Sequence, residues 1–198
     1  MPRPDESPFE VDLSRCTNDW DARTKLRRGI WQCLVRPLYL LIPGRLAAPR
    51  IAILRMFGAK IGRHCNIQAR VSILIPWHLE MGDYVALARG VEVLNFAPVR
   101  IGSMTVVSQR AHLCTGTHDV GHPHFQLVSK PIRIEPESWV ASGAFVGPGV
   151  TLGRGCVIGA HAVVTKDMPA WKVCAGNPCR PLKDRHIRSE HAPSEQPS

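Results

Sequence analysis

At 198 residues the chain has room for one well-buried domain and is too short for two of ordinary size. A hydrophobic content of 44% with 21% charged residues excludes a disordered chain, and 16 Gly with 17 Pro argue for many tight turns over long helices. The formal charge of +9 asks for an anionic partner such as a phosphate-bearing ligand or a membrane surface; no nucleic-acid-binding signature accompanies it, and no nucleic-acid partner is expected.

Residues 1–50 read as an N-terminal helical segment, with one or two short helices over 19–49. Arg23, Lys25, Arg27 and Arg28 precede an apolar run that holds Trp31, Leu34, Leu38 and Tyr39. Such a segment can cover the open end of a repeat, whose bare edge would otherwise template aggregation. A basic amphipathic segment can also touch anionic lipid, so peripheral membrane contact through 23–42 is a second expectation. The apolar stretch 30–42 is broken by Gln32, Arg36 and Pro37 and falls short of the roughly 20 residues a spanning helix needs.

From Ile61 an aliphatic residue recurs at every sixth position. The series is Ile61, Ile67, Ile73; Met81, Leu87, Val93; Ile101, Val107, Leu113; and then Ile134, Val140, Val146, Leu152, Ile158, Val164. A period of six is neither helical nor simply alternating, so the chain must turn a corner after each short strand. Three such strands close a triangle, and stacked triangles pair in parallel around an aliphatic interior. The steps 61 to 81 and 81 to 101 add two residues at one corner, near Trp77 and Ala97, and the step from 101 to 134 makes an excursion over 115–133. Residues 51–188 are therefore expected to form the solenoid, and the polar stretch 189–198 a disordered tail.

Seven cysteines, at 16, 33, 65, 114, 156, 174 and 179, include no CxxC pair, and no signal peptide is expected before them. A reduced, cytoplasmic compartment is expected. Cys65 and Cys156 fall at the fifth hexad position, where a small side chain packs inward.

The six-residue spacing resembles the hexapeptide repeat of left-handed parallel β-helix proteins, an all-β solenoid. CTGTHD followed by a loop ending in SKPI resembles the bacterial sugar O-acetyltransferases, especially those of colanic-acid-type exopolysaccharide synthesis. VDLSR, RMFGAKIG, NFAPVRIG, SWVASGAFVGPGVTLG and VTKDMPAWKVCAGNP match as well, so the resemblance covers nearly the whole chain. It implies an acetyl-CoA-dependent enzyme that acetylates a sugar or glycan hydroxyl, works as a homotrimer with sites between subunits, and requires no metal.

The resemblance places the general base on His118, and a neutral imidazole suits a hydroxyl too weakly nucleophilic to attack a thioester unaided. It also places an oxyanion-stabilising N–H near Ser142. Asp119 could orient the histidine ring or close an Asx-turn. In the acceptor site the matching residues are Asn95 and Asp119, and along the coenzyme they are Trp139, Ser142, Ala160, Thr165, Lys166 and Arg180. Lys172, Lys183 and Arg185 join Lys166 and Arg180 as candidates for the coenzyme phosphates.

Three alternatives stay open. His112, His118, His122 and His124 could bind zinc as in the gamma-class carbonic anhydrases, although that pattern also wants a ligand from an upstream coil. Cys114 could carry the acetyl group, although no cation beside it in sequence lowers its pKa. A non-catalytic trimeric scaffold would keep the repeats alone.

Overall fold

The structure is a computed structural model that describes residues 11–15 and 20–188. Cys16 and the tail expected over 189–198 lie outside the described residues.

The sixfold pattern winds the chain into a left-handed parallel β-helix of about six coils. Three parallel sheets form its faces. Face A carries Ile61, Met81, Ile101, Ile134 and Leu152 in register; face B carries Ile67, Leu87, Val107, Val140, Ile158 and Cys174; face C carries Ile73, Val93, Leu113, Val146 and Val164. All but Ile61 are buried, and they stack into one core. Cys156 packs into it fully, whereas Cys65 is half-buried. Each coil turns from A to B and from B to C through a residue with φ near +60°, for example His64, Tyr84 and Met104 on one edge and Arg70 and Arg110 on the other.

The solenoid is longer at its C-terminal end than the hexads suggest. Met168 bridges to Leu152, Cys174 pairs with Ile158, and the Cys179 N–H donates to the Val163 carbonyl, which adds a sixth, shortened coil. The step from Leu152 to Met168 is 16 residues instead of 18, so a strict six-residue count passes over it. An antiparallel hairpin of Lys172–Ala175 and Arg180–Asp184 closes this end at face B.

At the other end, a helix over 22–41 runs as α-helix Ala22–Gly29, a π-helical stretch Ile30–Val35, and α-helix Arg36–Leu41. A further helix, Ala47–Met56, continues beyond residue 50, because nothing in its Ala, Ile and Leu run breaks a helix before Gly58. Gly58 takes φ +92°, and the next N–H, that of Ala59, bonds back to Leu54. Trp31 and Leu54 sit fully buried over the first coil. Trp31 Nε1 donates to the Ile73 carbonyl, and the Arg50 guanidinium donates to five carbonyls, including those of Ile42, Pro43 and Ile67. Peptide groups that no preceding coil can pair are thus satisfied by side chains of the cap.

Truncating the cap should expose the first coil. Trp31→Ala is expected to lower stability by ~3–5 kcal/mol, measured by urea denaturation, while Trp31→Phe keeps most of the packing and loses about 1 kcal/mol with the Ile73 bond.

Candidate active site

All three insertions leave the solenoid at the edge between faces C and A. The first two are short corners over 74–78 and 94–98. The third is an antiparallel ribbon in which Gly116–His118 pairs with Leu127–Ser129, so that His118 lies opposite Leu127. Its base needs Gly116: a Cβ there would lie 2.6 Å from Phe96 Cδ2. Phe96 in turn packs at a tilt against Trp20, whose ring lies under Arg28.

The tip is a chain of local bonds. Asp119 Oδ1 accepts from the Gly121 N–H at 3.0 Å, the His122 N–H donates to the Asp119 carbonyl, and the Phe125 N–H donates to the His122 carbonyl. Phe125, at φ +42°, turns its carbonyl to Nδ1 of His118 at 2.5 Å. A carbonyl only accepts, so Nδ1 carries the proton and Nε2 of the neutral ring keeps a lone pair on an exposed side chain. The orienting group is therefore a main-chain carbonyl. Asp119 makes the Asx-turn, the second of the two roles its sequence allowed.

Asp12, just before the segment Leu13–Arg15, docks on this tip. The Asp12 N–H donates to the Pro123 carbonyl at 3.0 Å, and His124 Nδ1 donates to the Asp12 carbonyl at 2.6 Å. The Asp12 carboxylate caps the segment by accepting from Ser14 N–H and Oγ, which hold it below the usual carboxylate range.

Trp139, Ser142 and Ala160 come together on face B and the edge between B and C. Trp139 is half-exposed and its Nε1 donates to Ser108 Oγ at 2.9 Å. Ser142 Oγ donates to the Gln109 carbonyl, and the Ser142 carbonyl accepts from His161. Gly143, at φ +67°, lets the His161 ring close on this corner; a Cβ would come within 2.5 Å of it. Among the described residues the N–H groups of Ser142 and Ala160 have no acceptor, so this edge presents two open backbone donors.

Thr165 and Lys166 stand exposed on a different edge, the one between C and A from which the ribbon departs, and Arg180 lies on the outermost strand of face B. Two of the basic candidates are engaged elsewhere. Lys172 pairs with Asp184 at 2.5 Å, and Arg185 donates to the carbonyls of Glu137 and Gly155.

Asn95 departs from its expected role as an acceptor ligand. It is 0% exposed, its amide accepts from the Ile75 N–H at 2.9 Å and donates to the Ile75 carbonyl at 2.7 Å. An expanded corner cannot pair its backbone regularly with the coil beneath, and this amide supplies the missing bonds.

Cys114 is buried and its thiol donates to the Gly116 carbonyl. Burial pushes the Cys156 thiol up, and that of Cys179 to about 11, so neither is a ready thiolate at neutral pH. His112 stacks edge-on against Phe145, away from the tip histidines, and His122 Nδ1 accepts from the His124 N–H. Among the described residues no three His, Cys, Asp or Glu side chains are grouped to hold a metal ion.

A left-handed β-helix with an outward histidine ribbon and an open donor edge defines an acyltransferase of the hexapeptide class. The model of the bacterial transferase hexapeptide (six repeats) matches residues 131–166. The chain is 39% identical over 156 residues to the "Putative colanic acid biosynthesis acetyltransferase WcaF" of Escherichia coli (strain K12), covering 79% of this chain and 86% of that protein. The chain belongs to the hexapeptide-repeat acetyltransferase family and is an acyltransferase. Among solved structures, a maltose O-acetyltransferase from Clostridium difficile 630 superposes with a TM-score of 0.77 at 25% identity, covering 84% of this chain and 90% of that one. The same fold recurs in a Vibrio cholerae O1 biovar eltor hexapeptide-repeat acetyltransferase complexed with acetyl-coenzyme A, with a TM-score of 0.75, 22% identity and coverage of 86% and 93%.

Asn95→Ala should behave as a structural lesion. It is expected to cost ~2–4 kcal/mol in urea denaturation by leaving two buried peptide groups of Ile75 unpaired, while the KM for acceptor in the folded variant changes less than about twofold.

Proposed function

We propose that the chain transfers an acetyl group from acetyl-coenzyme A to a sugar hydroxyl during assembly of an exopolysaccharide or other surface glycan, with His118 as general base. The observation that carries this reading is the Phe125 carbonyl on His118 Nδ1, which directs the lone pair of the neutral ring to Nε2 on an exposed side chain. The relatives support the chemistry: one is named for colanic acid biosynthesis, one for maltose O-acetylation, and one is complexed with acetyl-coenzyme A.

In the reaction Nε2 takes the proton of the attacking hydroxyl, and the hydroxyl oxygen bonds to the thioester carbonyl carbon. The carbonyl oxygen gathers negative charge, which the open N–H at Ser142 stabilises. The C–S bond then breaks, and the thiolate takes the proton from His118 to leave as free coenzyme A. Trp139, Ser142 and Ala160 line the pantetheine arm, and Thr165, Lys166 and Arg180 reach its far end. Asp119 holds the tip close to the acceptor. A coenzyme supplied inside the cell fits the expected cytoplasmic compartment.

The active form is a homotrimer with sites between subunits. A base and an oxyanion donor that serve one carbonyl must both come within about 3 Å of it. His118 departs from the edge between C and A, whereas Ser142 lies across face C, five residues from Gly147. Five residues of extended chain span roughly 16 Å. One protomer's ribbon therefore meets its neighbour's donor edge. Face B supplies a surface to cover, since Val106 and Trp139 stand exposed on it beside the half-buried Ala86.

The test is thiol release from acetyl-coenzyme A with candidate sugar acceptors. His118→Ala is expected to lower kcat by roughly 10²- to 10⁴-fold, and Cys114→Ala to retain most of it. Equal activity of His118→Ala and wild type would sink the base, and loss in Cys114→Ala alone would favour an acetyl-cysteine. Light scattering is expected to show a particle of three chains.

A further inference from the structure

Many charged residues on face A and on the edge between A and B are paired. On face A, Glu80 pairs with Lys60 at 2.9 Å and Arg100 at 3.1 Å; on the edge between A and B, Arg63 meets Asp83 and Arg154 meets Glu137. The edge between B and C differs. A cleft of about 670 Å³ there is lined by Arg70, Arg89, Gly90, Gln109, Arg110 and Ser142, with no carboxylate among them. All three guanidinium side chains are exposed, and none is in an ion pair among the described residues. Arg70 and Arg110 occupy the left-handed corner position of their coils, at φ +60° and +58°, a conformation better suited to glycine, and Gly90 holds it between them. The two arginines thus flank an open glycine corner.

Their position relative to Ser142 decides what they are for. Coils stack about 4.8 Å apart, so Arg110, Arg89 and Arg70 step roughly 5, 10 and 14 Å toward the N-terminal end from Ser142. The coenzyme arm runs the other way, from Ser142 to Ala160. The arginines therefore lie on the far side of the reacting carbon from the coenzyme, where the acceptor must enter. We infer that this cleft docks the acceptor through an anionic group, a phosphate or a carboxylate, held by Arg110, Arg89 and Arg70. The inference rests on the reading that the thioester lies at Ser142. Planar guanidinium forks suit either oxyanion.

Two measurements test it. Isothermal titration with pyrophosphate and with glucuronate, in the absence of coenzyme, is expected to show binding that is lost when Arg89→Ala and Arg110→Ala are combined in a variant with unchanged circular dichroism. Steady-state acetylation of glucose, glucuronate and glucose 1-phosphate should then favour the charged acceptor, with its KM raised roughly 10- to 100-fold in Arg89→Ala and the KM for acetyl-coenzyme A moved less than about twofold. Which charged sugar is preferred separates a carboxylate from a phosphate. A rise in the coenzyme KM instead, equal use of glucose, or anion binding undiminished in the double variant would each overturn the proposal. Anion binding without acetyl transfer to any sugar would leave the cleft standing and overturn the proposed function.

A separate observation concerns the N-terminal helix. Leu26, Ile30, Leu34 and Leu38 line its outer side, followed by Leu41, and the four leucines are 65% to 77% exposed. Four residues of α-helix overshoot a full turn by about 40°. The wider π-helical stretch Ile30–Val35 turns back by a comparable angle, which keeps the stripe straight. Between Trp20 and Gly58 there are eight Arg and Lys and one acidic residue, Asp21. We propose that this stripe lies on an anionic lipid surface, apolar side chains in the acyl boundary and Arg23, Lys25 and Arg45 at the headgroups. The protein is expected to sediment with phosphatidylglycerol-containing vesicles, and Leu34→Ser with Leu38→Ser to lose at least about tenfold in binding. Equal binding to pure phosphatidylcholine, no binding at all, or a changed oligomer mass in the double variant would each overturn it.

Discussion

The structure depends on one constraint: each coil must return its inward side chain directly above that of the coil beneath. Parallel pairing supplies the hydrogen bonds only in that register, and a slip of one residue would turn the aliphatic column outward. Extra residues can therefore leave only at a corner, and in this chain they leave at one corner alone. Two short expansions and the histidine ribbon share the edge between C and A. The buried amide of Asn95 shows what such an expansion requires, because it replaces backbone bonds that the widened corner cannot make with Ile75.

With that register fixed, the outward positions are free to differ, and the prism acquires sides of distinct character. Face A carries a ladder of paired charges around Glu80, whose carboxyl the neighbouring Lys60 ammonium and Arg100 hold below its usual range. Face B is apolar around Val106 and Trp139. The edge from B to C is cationic and rich in open backbone donors. Parts of the surface with different chemistry are thus held in place by a common core.

Much of this was legible in the sequence, because a period of six leaves few architectures and the aliphatic residues that mark it are those that fill the core. The corner of two extra residues and the span of the ribbon followed from counting. The sixth coil was hidden by a 16-residue step, and the helix running past residue 50 by Pro49, which reads as a helix end but stands in the first turn of Ala47–Met56. Site geometry was less legible wherever a backbone group acts. The Phe125 carbonyl on His118 leaves no trace in residue type, and Asn95 reads equally well as a ligand or a brace until its burial is known. Arg70, Arg89 and Arg110 could have been found by folding the sequence onto its 20-residue coils, which brings positions 70, 90 and 110 to one corner.

The orientation of the His118 ring by a main-chain oxygen has an evolutionary consequence. No side-chain replacement can delete that oxygen, so the ribbon tolerates changes of residue type between Asp119 and Gln126 so long as its path is kept. Length is a different matter. Gaining or losing a single residue in the tip would swing the carbonyl off Nδ1 and leave the His118 ring unheld with every side chain still in place, so divergence among such ribbons should proceed by substitution far more readily than by insertion or deletion.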